Sequence, residues 1–136
     1  MNEFEQITAL LKRVRTIAVV GLSDQPGRAS HGVAAYLQRQ GYRIIPVNPS
    51  LPEVLGERSF PSLLEIPPQE QIDVVDVFRR SEFVPEIVDQ AIQLGIPAVW
   101  LQEGVIHEEA AQKARAAGIF VVVDRCILKE HKLRRN

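Results

Sequence analysis

Five short apolar runs recur along this chain: Ile17 to Val20, Arg43 to Val47, Ile72 to Phe78, Ala98 to Leu101 and Ile119 to Val123. They are rich in β-branched residues and nearly continuous rather than alternating, so each strand needs cover on both faces. That is the condition of a largely parallel sheet layered between helices. Helix-period segments lie between most of the runs. Phe4 to Val14 reads as a leading amphipathic helix and His107 to Ala117 as an alanine-rich one. Ser30 to Gln40 aligns Val33, Ala34 and Leu37, and Phe83 to Leu94 aligns Ile87, Ala91 and Leu94. Gly41, Gly95 and Gly118 each stand just before a strand, where a helix C-cap belongs. The expected architecture is a doubly wound α/β sandwich, with right-handed crossovers and a ligand crevice at the carboxyl ends of the strands.

A chain of 136 residues fits one domain, 1–136, and buries about two thirds of its unfolded surface. Its formal net charge of -1 argues against bulk binding to nucleic acid or an anionic membrane, so any anion site is local. The single cysteine, Cys126, excludes an internal disulfide framework and a thiolate zinc cluster. The acidic start Met1-Asn-Glu-Phe-Glu lacks the basic segment of a signal peptide, and no apolar run approaches the roughly 20 residues of a spanning helix. A cytoplasmic protein, monomer or homodimer, is expected. Asn48 to Gln71 holds five of the nine prolines. It reads either as a long connection or as a short edge strand, Glu57 to Phe60, followed by a helical turn at Pro61 to Glu65. A functional flap and a proline-stiffened surface crossover are both open for it.

The first apolar run leads into Gly21-Leu-Ser23-Asp24-Gln-Pro-Gly27-Arg28-Ala29-Ser30-His31-Gly32 and then a helix. A strand that ends on a glycine and enters a helix makes a phosphate cradle, because the unpaired N–H groups of the first helical turn present positive charge to an anion. A dinucleotide fingerprint has glycine at its first, third and sixth positions and an acidic residue about 20 residues on. Here the third and sixth positions are Ser23 and Pro26, and the next strand ends Pro46-Val47-Asn48-Pro49. A nicotinamide cofactor is disfavoured.

Four loops meet at the carboxyl edge of such a sheet: Gly21 to Ser30, Val47 to Pro52, Phe78 to Ser81, and Leu101 to Gly104. Arg28 can set a guanidinium fork on a phosphate, Ser23 and Ser30 can donate hydroxyl hydrogen bonds, and Arg79 and Arg80 add charge beside Phe78. Asp24 within a phosphate loop repels the ligand unless it bonds backbone N–H groups or pairs with Arg28. The three histidines, His31, His107 and His131, form no metal-spaced pair, so no metal site is expected. Cys126 reads as a small apolar filler. The sharper alternative is that it meets a ligand thiol as a mixed disulfide. The basic end, Lys129 to Arg135, reads as a solvated, frayed tail.

Taken in order, these segments resemble the coenzyme A-binding domain at the amino end of the succinyl-CoA synthetase α subunit, and especially its small bacterial and archaeal relatives. The resemblance rests on Ile17-Ala-Val-Val-Gly-Leu-Ser with the Pro26-Gly27-Arg28-x-Ser30 turn, on Gly41-Tyr-Arg-Ile-Ile-Pro-Val-Asn-Pro49, and on Val74-Val-Asp-Val-Phe78-Arg79. Trp100-Leu-Gln102-Glu103-Gly104 and the Val123-Asp-Arg-Cys126 end complete it. It implies a Rossmann-like, mostly parallel sheet with helices on both faces. It also implies coenzyme A along the carboxyl edge: pyrophosphate near Gly21, Leu22, Ser23, Arg28, Ala29 and Ser30, adenosine over Val47, Asn48 and Pro49, and pantetheine along Phe78 and Arg79 toward Gln102 and Glu103. Two departures stand out. Pro49-Ser-Leu-Pro52 lacks the lysine that the synthetase places there, leaving Arg28 or Arg58 to substitute, and 136 residues leave no room for the phosphohistidine domain. The expected function is non-catalytic binding of coenzyme A or acyl-CoA, as a sensor or a cofactor-presenting subunit. The alternatives are an NAD(P)- or other nucleotide-binding regulatory module and a small acyl-transfer enzyme built on Cys126 or His31.

Overall fold

The structure, a computed structural model, describes residues 1–135. Five parallel strands form one sheet: β1 (Thr16–Val20), β2 (Arg43–Val47), β5 (Val74–Val77), β6 (Ala98–Leu101) and β7 (Phe120–Val122), in the order β2-β1-β5-β6-β7. A separate two-stranded hairpin, β3 (Glu53–Val54) and β4 (Glu57–Arg58), follows β2. The helices are α1 (Glu3–Arg13), α2 (Ala29–Arg39), α3 (Val84–Leu94), α4 (Glu108–Ala116) and α5 (Ile127–Leu133). The doubly wound expectation holds, because the two sides of the sheet carry separate cores. Ile17, Val19, Ile44, Val74 and Trp100 pack with residues of α1, α2 and α5, while Ala18, Val20, Ile45, Val75, Val77 and Leu101 pack with α3 and α4. Every residue of β1 is buried, and each Val or Ile so covered contributes about 1.5–3 kcal/mol.

Local chemistry sets the ends of these elements. Asn2 caps α1, its side chain accepting from the Glu5 N–H at 2.8 Å while Glu5 accepts from the Asn2 N–H at 3.2 Å, a capping box in front of the apolar face. His107 caps α4, its Nδ1 accepting from the Ala110 N–H at 3.1 Å. Gly95 closes α3 with φ +69°, and Gly41 and Gly118 also take positive φ at the ends of α2 and α4.

Two segments differ from the sequence expectations. The edge strand expected over Glu57 to Phe60 is instead half of the β3–β4 hairpin, which turns through Leu55 (φ +54°) and Gly56 (φ +77°). Phe60 alone joins the main sheet, donating its N–H to Pro46 O at 3.0 Å and accepting from the Asn48 N–H at 2.9 Å. The helical turn appears at Leu63–Glu65. The basic end is no frayed tail: it forms α5, with Ile127 fully buried. Arg134 clasps α5 to α1, with Nε donating to Thr8 Oγ1 at 2.7 Å and Nη2 to Phe4 O at 3.0 Å. Its Nη1 donates to Glu130 Oε1 at 3.0 Å, and both side chains of that pair are only about a tenth exposed.

Candidate functional site

The chain leaves β1 for α2 on one face of the sheet and leaves β5 for α3 on the other, so the loops after these neighbouring strands part and open a crevice at their carboxyl ends. Gly21 sets its width. It takes φ +88°, and a Cβ there would lie 2.8 Å from Phe78 O and 3.1 Å from Arg79 Cδ. The two loops can touch only because residue 21 has no side chain. Its N–H donates to Val47 O at 2.9 Å, which ties in the loop after β2 as well.

Several predicted binding residues spend their polar groups on holding these loops. Ser30 is buried and its Oγ accepts from the Ser23 N–H at 3.0 Å, while Ser23 Oγ accepts from the Gln25 N–H at 3.0 Å. Asn48 Nδ2 donates to Leu22 O at 3.0 Å and its Oδ1 accepts from the Ser50 N–H at 2.8 Å. Leu22 is fully buried beneath the turn. Arg28 stands at the N-cap of α2 without a side-chain cap bond, so the N–H groups of Ala29 and Ser30 open the helix uncapped. Asp24 is exposed and, among the described residues, makes neither a backbone bond nor a pair with Arg28. Neither of the partners that the sequence left open for Asp24, backbone N–H groups or Arg28, is engaged, and the side chain stands exposed at the turn.

A cavity of about 240 Å³ adjoins the crevice on the α3 side, between Val20, Val47 and Pro49 and the opposing Leu63, Arg79 and Phe83. The Arg79 guanidinium lies 4.0 Å from the Phe83 ring centroid, a cation–π contact that holds it at the cavity wall. Phe78 packs on the opposite face of the sheet. Arg58 lies 4.9 Å from the Phe60 ring centroid. Arg28, Arg58 and Arg79 have no carboxylate partner among the described residues, whereas the exposed Arg80 pairs with Glu82 at 3.5 Å.

Gln102 and Glu103 lie on the same edge with their side chains turned to α5. Gln102 is buried and its Oε1 accepts from the Ile127 N–H at 3.1 Å, and Glu103 pairs with Lys129 at 2.9 Å. Cys126 is buried in the core shared by α1, α2 and α5, across the sheet from the cavity. Its surroundings are those of a small apolar filler. No group of three or more His, Cys, Asp or Glu among the described residues could hold a metal ion. No helix among them is long and apolar enough to cross a membrane.

Sequence reasoning missed the wall made by Leu63 and Phe83. The four-residue spacing from Arg79 to Phe83 was the available signal for the stacked pair. It also gave no role to Asp76, which is fully buried on β5 with neither carboxyl oxygen hydrogen-bonded. Burial pushes its carboxyl well above the usual range.

A mostly parallel sheet with helices on both faces and a glycine-opened crevice at its switch point defines a Rossmann-like α/β domain. The chain belongs to the family described as CoA binding domain, which matches residues 15–132. It is 44% identical over 126 residues to the uncharacterized protein YneT of Bacillus subtilis, covering 93% of this chain and 92% of that one. A hypothetical protein from Pyrococcus horikoshii has a similar structure, with TM-score 0.92 and 41% identity over 97% of this chain and 92% of that one. The ADP-forming acetate–CoA ligase II of Archaeoglobus fulgidus is 28% identical over 102 residues, 74% of this chain. The match spans only 15% of that ligase.

Proposed function

We propose that this chain is a single domain, residues 1–136, that binds coenzyme A or an acyl-CoA along the carboxyl edge of its sheet without transforming it. Its role in this reading is to sense the cofactor or present it to a protein partner. Family membership supports coenzyme A as the ligand. The observation that carries the placement is the approach of Gly21 to Phe78 and Arg79, which sets the uncapped start of α2 beside an apolar wall. An elongated ligand with phosphates at one end and an apolar arm at the other needs both. The pyrophosphate lies over Gly21 to Ser23 and Arg28 to Ser30, and the adenosine over Val47 to Pro49. The pantetheine follows Phe78 and Arg79, and Gln102 and Glu103 close the far end by holding α5.

Asn48 separates this reading from a dinucleotide one. Its neutral amide is bonded on both sides to the loop backbone, so it lacks the free carboxylate pair that grips both ribose hydroxyls in a dinucleotide site. The reading without catalysis rests on the burial of Cys126 among apolar side chains, which keeps its thiol from a substrate in the crevice.

Calorimetry and native mass spectrometry with coenzyme A, acetyl-CoA, NAD and ATP test the proposal. Saturable one-to-one binding of coenzyme A or acetyl-CoA is expected, and Arg28→Ala should weaken it by about 1–3 kcal/mol, the scale of a lost charged hydrogen bond. Binding of NAD or ATP alone would overturn the ligand. Unchanged affinity in both Arg28→Ala and Arg79→Ala would overturn the placement.

A further inference from the structure

We propose that the cavity between α1 and α5, reaching the start of β2, is a second binding site that takes a small carboxylate with an apolar tail. The cavity has a volume of about 380 Å³, within the range of small-molecule sites. Tyr42, on its wall, precedes β2 at the amino end, so the cavity lies away from the carboxyl edge proposed for coenzyme A. Phe4, Leu11 and Leu133 supply apolar wall, and Phe4 and Leu133 are more than half exposed. The charged lining is of one sign. Lys12, Arg134 and Arg135 line the cavity beside His131 and no acidic residue does, in a chain whose formal net charge is -1.

These cations are not equivalent. Arg134 is consumed by Thr8, Glu130 and Phe4 O and serves as wall. Lys12 and Arg135 are exposed and have no carboxylate partner among the described residues. His131 is held in place. Its Nδ1 lies 2.7 Å from Tyr36 Oη, which Arg135 Nη1 approaches at 3.5 Å. A guanidinium only donates, so the Tyr36 hydroxyl accepts from Arg135 and keeps its proton and its second lone pair for Nδ1, which it meets in either tautomer. Nε2, the other ring nitrogen, has no protein partner among the described residues. Burial and the charge of Arg135 both favour the neutral imidazole by lowering the His131 pKa. Tyr36 and Tyr42 meet the ring edge-on, with centroids 5.4 and 5.8 Å away, and fix its plane.

Two unpaired cations and a fixed imidazole edge above an apolar floor match a carboxylate head on a hydrocarbon or aromatic tail. A hydrated inorganic anion would leave the floor unused, and a neutral tail would leave the cations unused. The charges and the floor together select the ligand class.

Hexanoate, hexanol and inorganic phosphate are the probes, followed by nitrogen-15 NMR of the full chain. The expected result is saturable hexanoate binding with amide shifts confined to the surroundings of Thr8, Tyr42 and His131. Hexanol and phosphate should each bind at least tenfold more weakly. The double variant Lys12→Ala/Arg135→Ala changes exposed side chains, so its unfolding midpoint should stay within a few degrees of the parent while hexanoate affinity falls at least tenfold. Tyr36→Phe, which frees His131 Nδ1, should weaken hexanoate binding several-fold. Equal binding of hexanoate and hexanol would overturn the anion requirement, and equal binding of phosphate would overturn the tail. Shifts centred on Gly21 to Ser30, or no saturation at the solubility limit of hexanoate, would overturn the site.

Discussion

Replacing Asp76 by valine should stabilise this protein, and by an amount that grows with pH. Asp76 sits in the central strand β5, paired in register with Val19 of β1 and Trp100 of β6, and those neighbours belong to the core beneath α1, α2 and α5. Its side chain is fully buried and neither oxygen has a partner. Even as the neutral acid, an unsatisfied buried polar group costs about 1–3 kcal/mol. Valine is close in volume and suits a strand, so the exchange leaves little cavity or strain. Ionisation adds a second part. Burial raises the folded-state pKa well above the usual value, so the folded chain holds a proton that the unfolded chain has released. The penalty is absent below the unfolded-state pKa, accumulates by about 1.4 kcal/mol per pH unit above it, and levels off once the folded carboxyl ionises. Urea unfolding of parent and Asp76→Val at pH 4.5, 6.0 and 7.5 measures both parts, since other carboxylates cancel in the difference. A variant more stable by the unsatisfied-group cost at pH 4.5, with the gap widening at the higher values, is expected. A destabilised variant, or a gap independent of pH, would refute the reasoning and mean that the carboxyl has a partner in solution.

Arg134→Ala should cost about 3 kcal/mol, the scale of breaking a nearly buried pair, read from the urea midpoint at unchanged slope. A loss below 1 kcal/mol would show that the clasp between α5 and α1 contributes little. Gly21→Ala should cost about 3 kcal/mol or more, combining strain at positive φ with the clash against Phe78 O. Gly41→Ala, with open space around its Cβ position, should cost only about 1–2 kcal/mol, and similar losses at both sites would count against the loop contact. His131 should titrate below its ordinary 6.5 by ring-proton NMR. Its contribution to stability is therefore present above the unfolded-state pKa and lost as pH falls toward the folded one. A midpoint at or above 6.5 would contradict the burial of this ring.

The sheet and the first four helices were legible because their signals are local. A β-branched run such as Ile17 to Val20, or the spacing of Ile87, Ala91 and Leu94, needs no distant partner to be read. The segments that escaped lack such signals. The β3–β4 hairpin turns on Leu55-Gly56, and leucine at positive φ is not a turn signature. Helix α5 has only seven residues, too few to hold without tertiary contacts. Its anchor is Arg134 gripping Thr8, 126 positions away. Asp76 was legible as a residue in a strand covered on both faces and illegible as a problem, since nothing in Val74-Val75-Asp76-Val77 shows that no donor would reach its carboxyl.

The candidate site divides along the same line. The sequence names every donor at the carboxyl edge and is silent on which are already engaged. Ser23 and Ser30 engage each other across seven positions, Asn48 reaches back 26 to Leu22, and Gln102 reaches 25 forward to Ile127. Arg28 and Arg79 stay free of acids among the described residues. On the proposed placement, ligand affinity at this edge draws on guanidinium groups and the uncapped N–H groups of α2. Solvent-exposed charge of that kind is screened by salt, so coenzyme A binding should weaken as ionic strength rises. Asn48→Ala should act differently. It leaves the charges in place and releases the turn at Leu22, so its loss of affinity should persist at high salt, where that of Arg28→Ala shrinks.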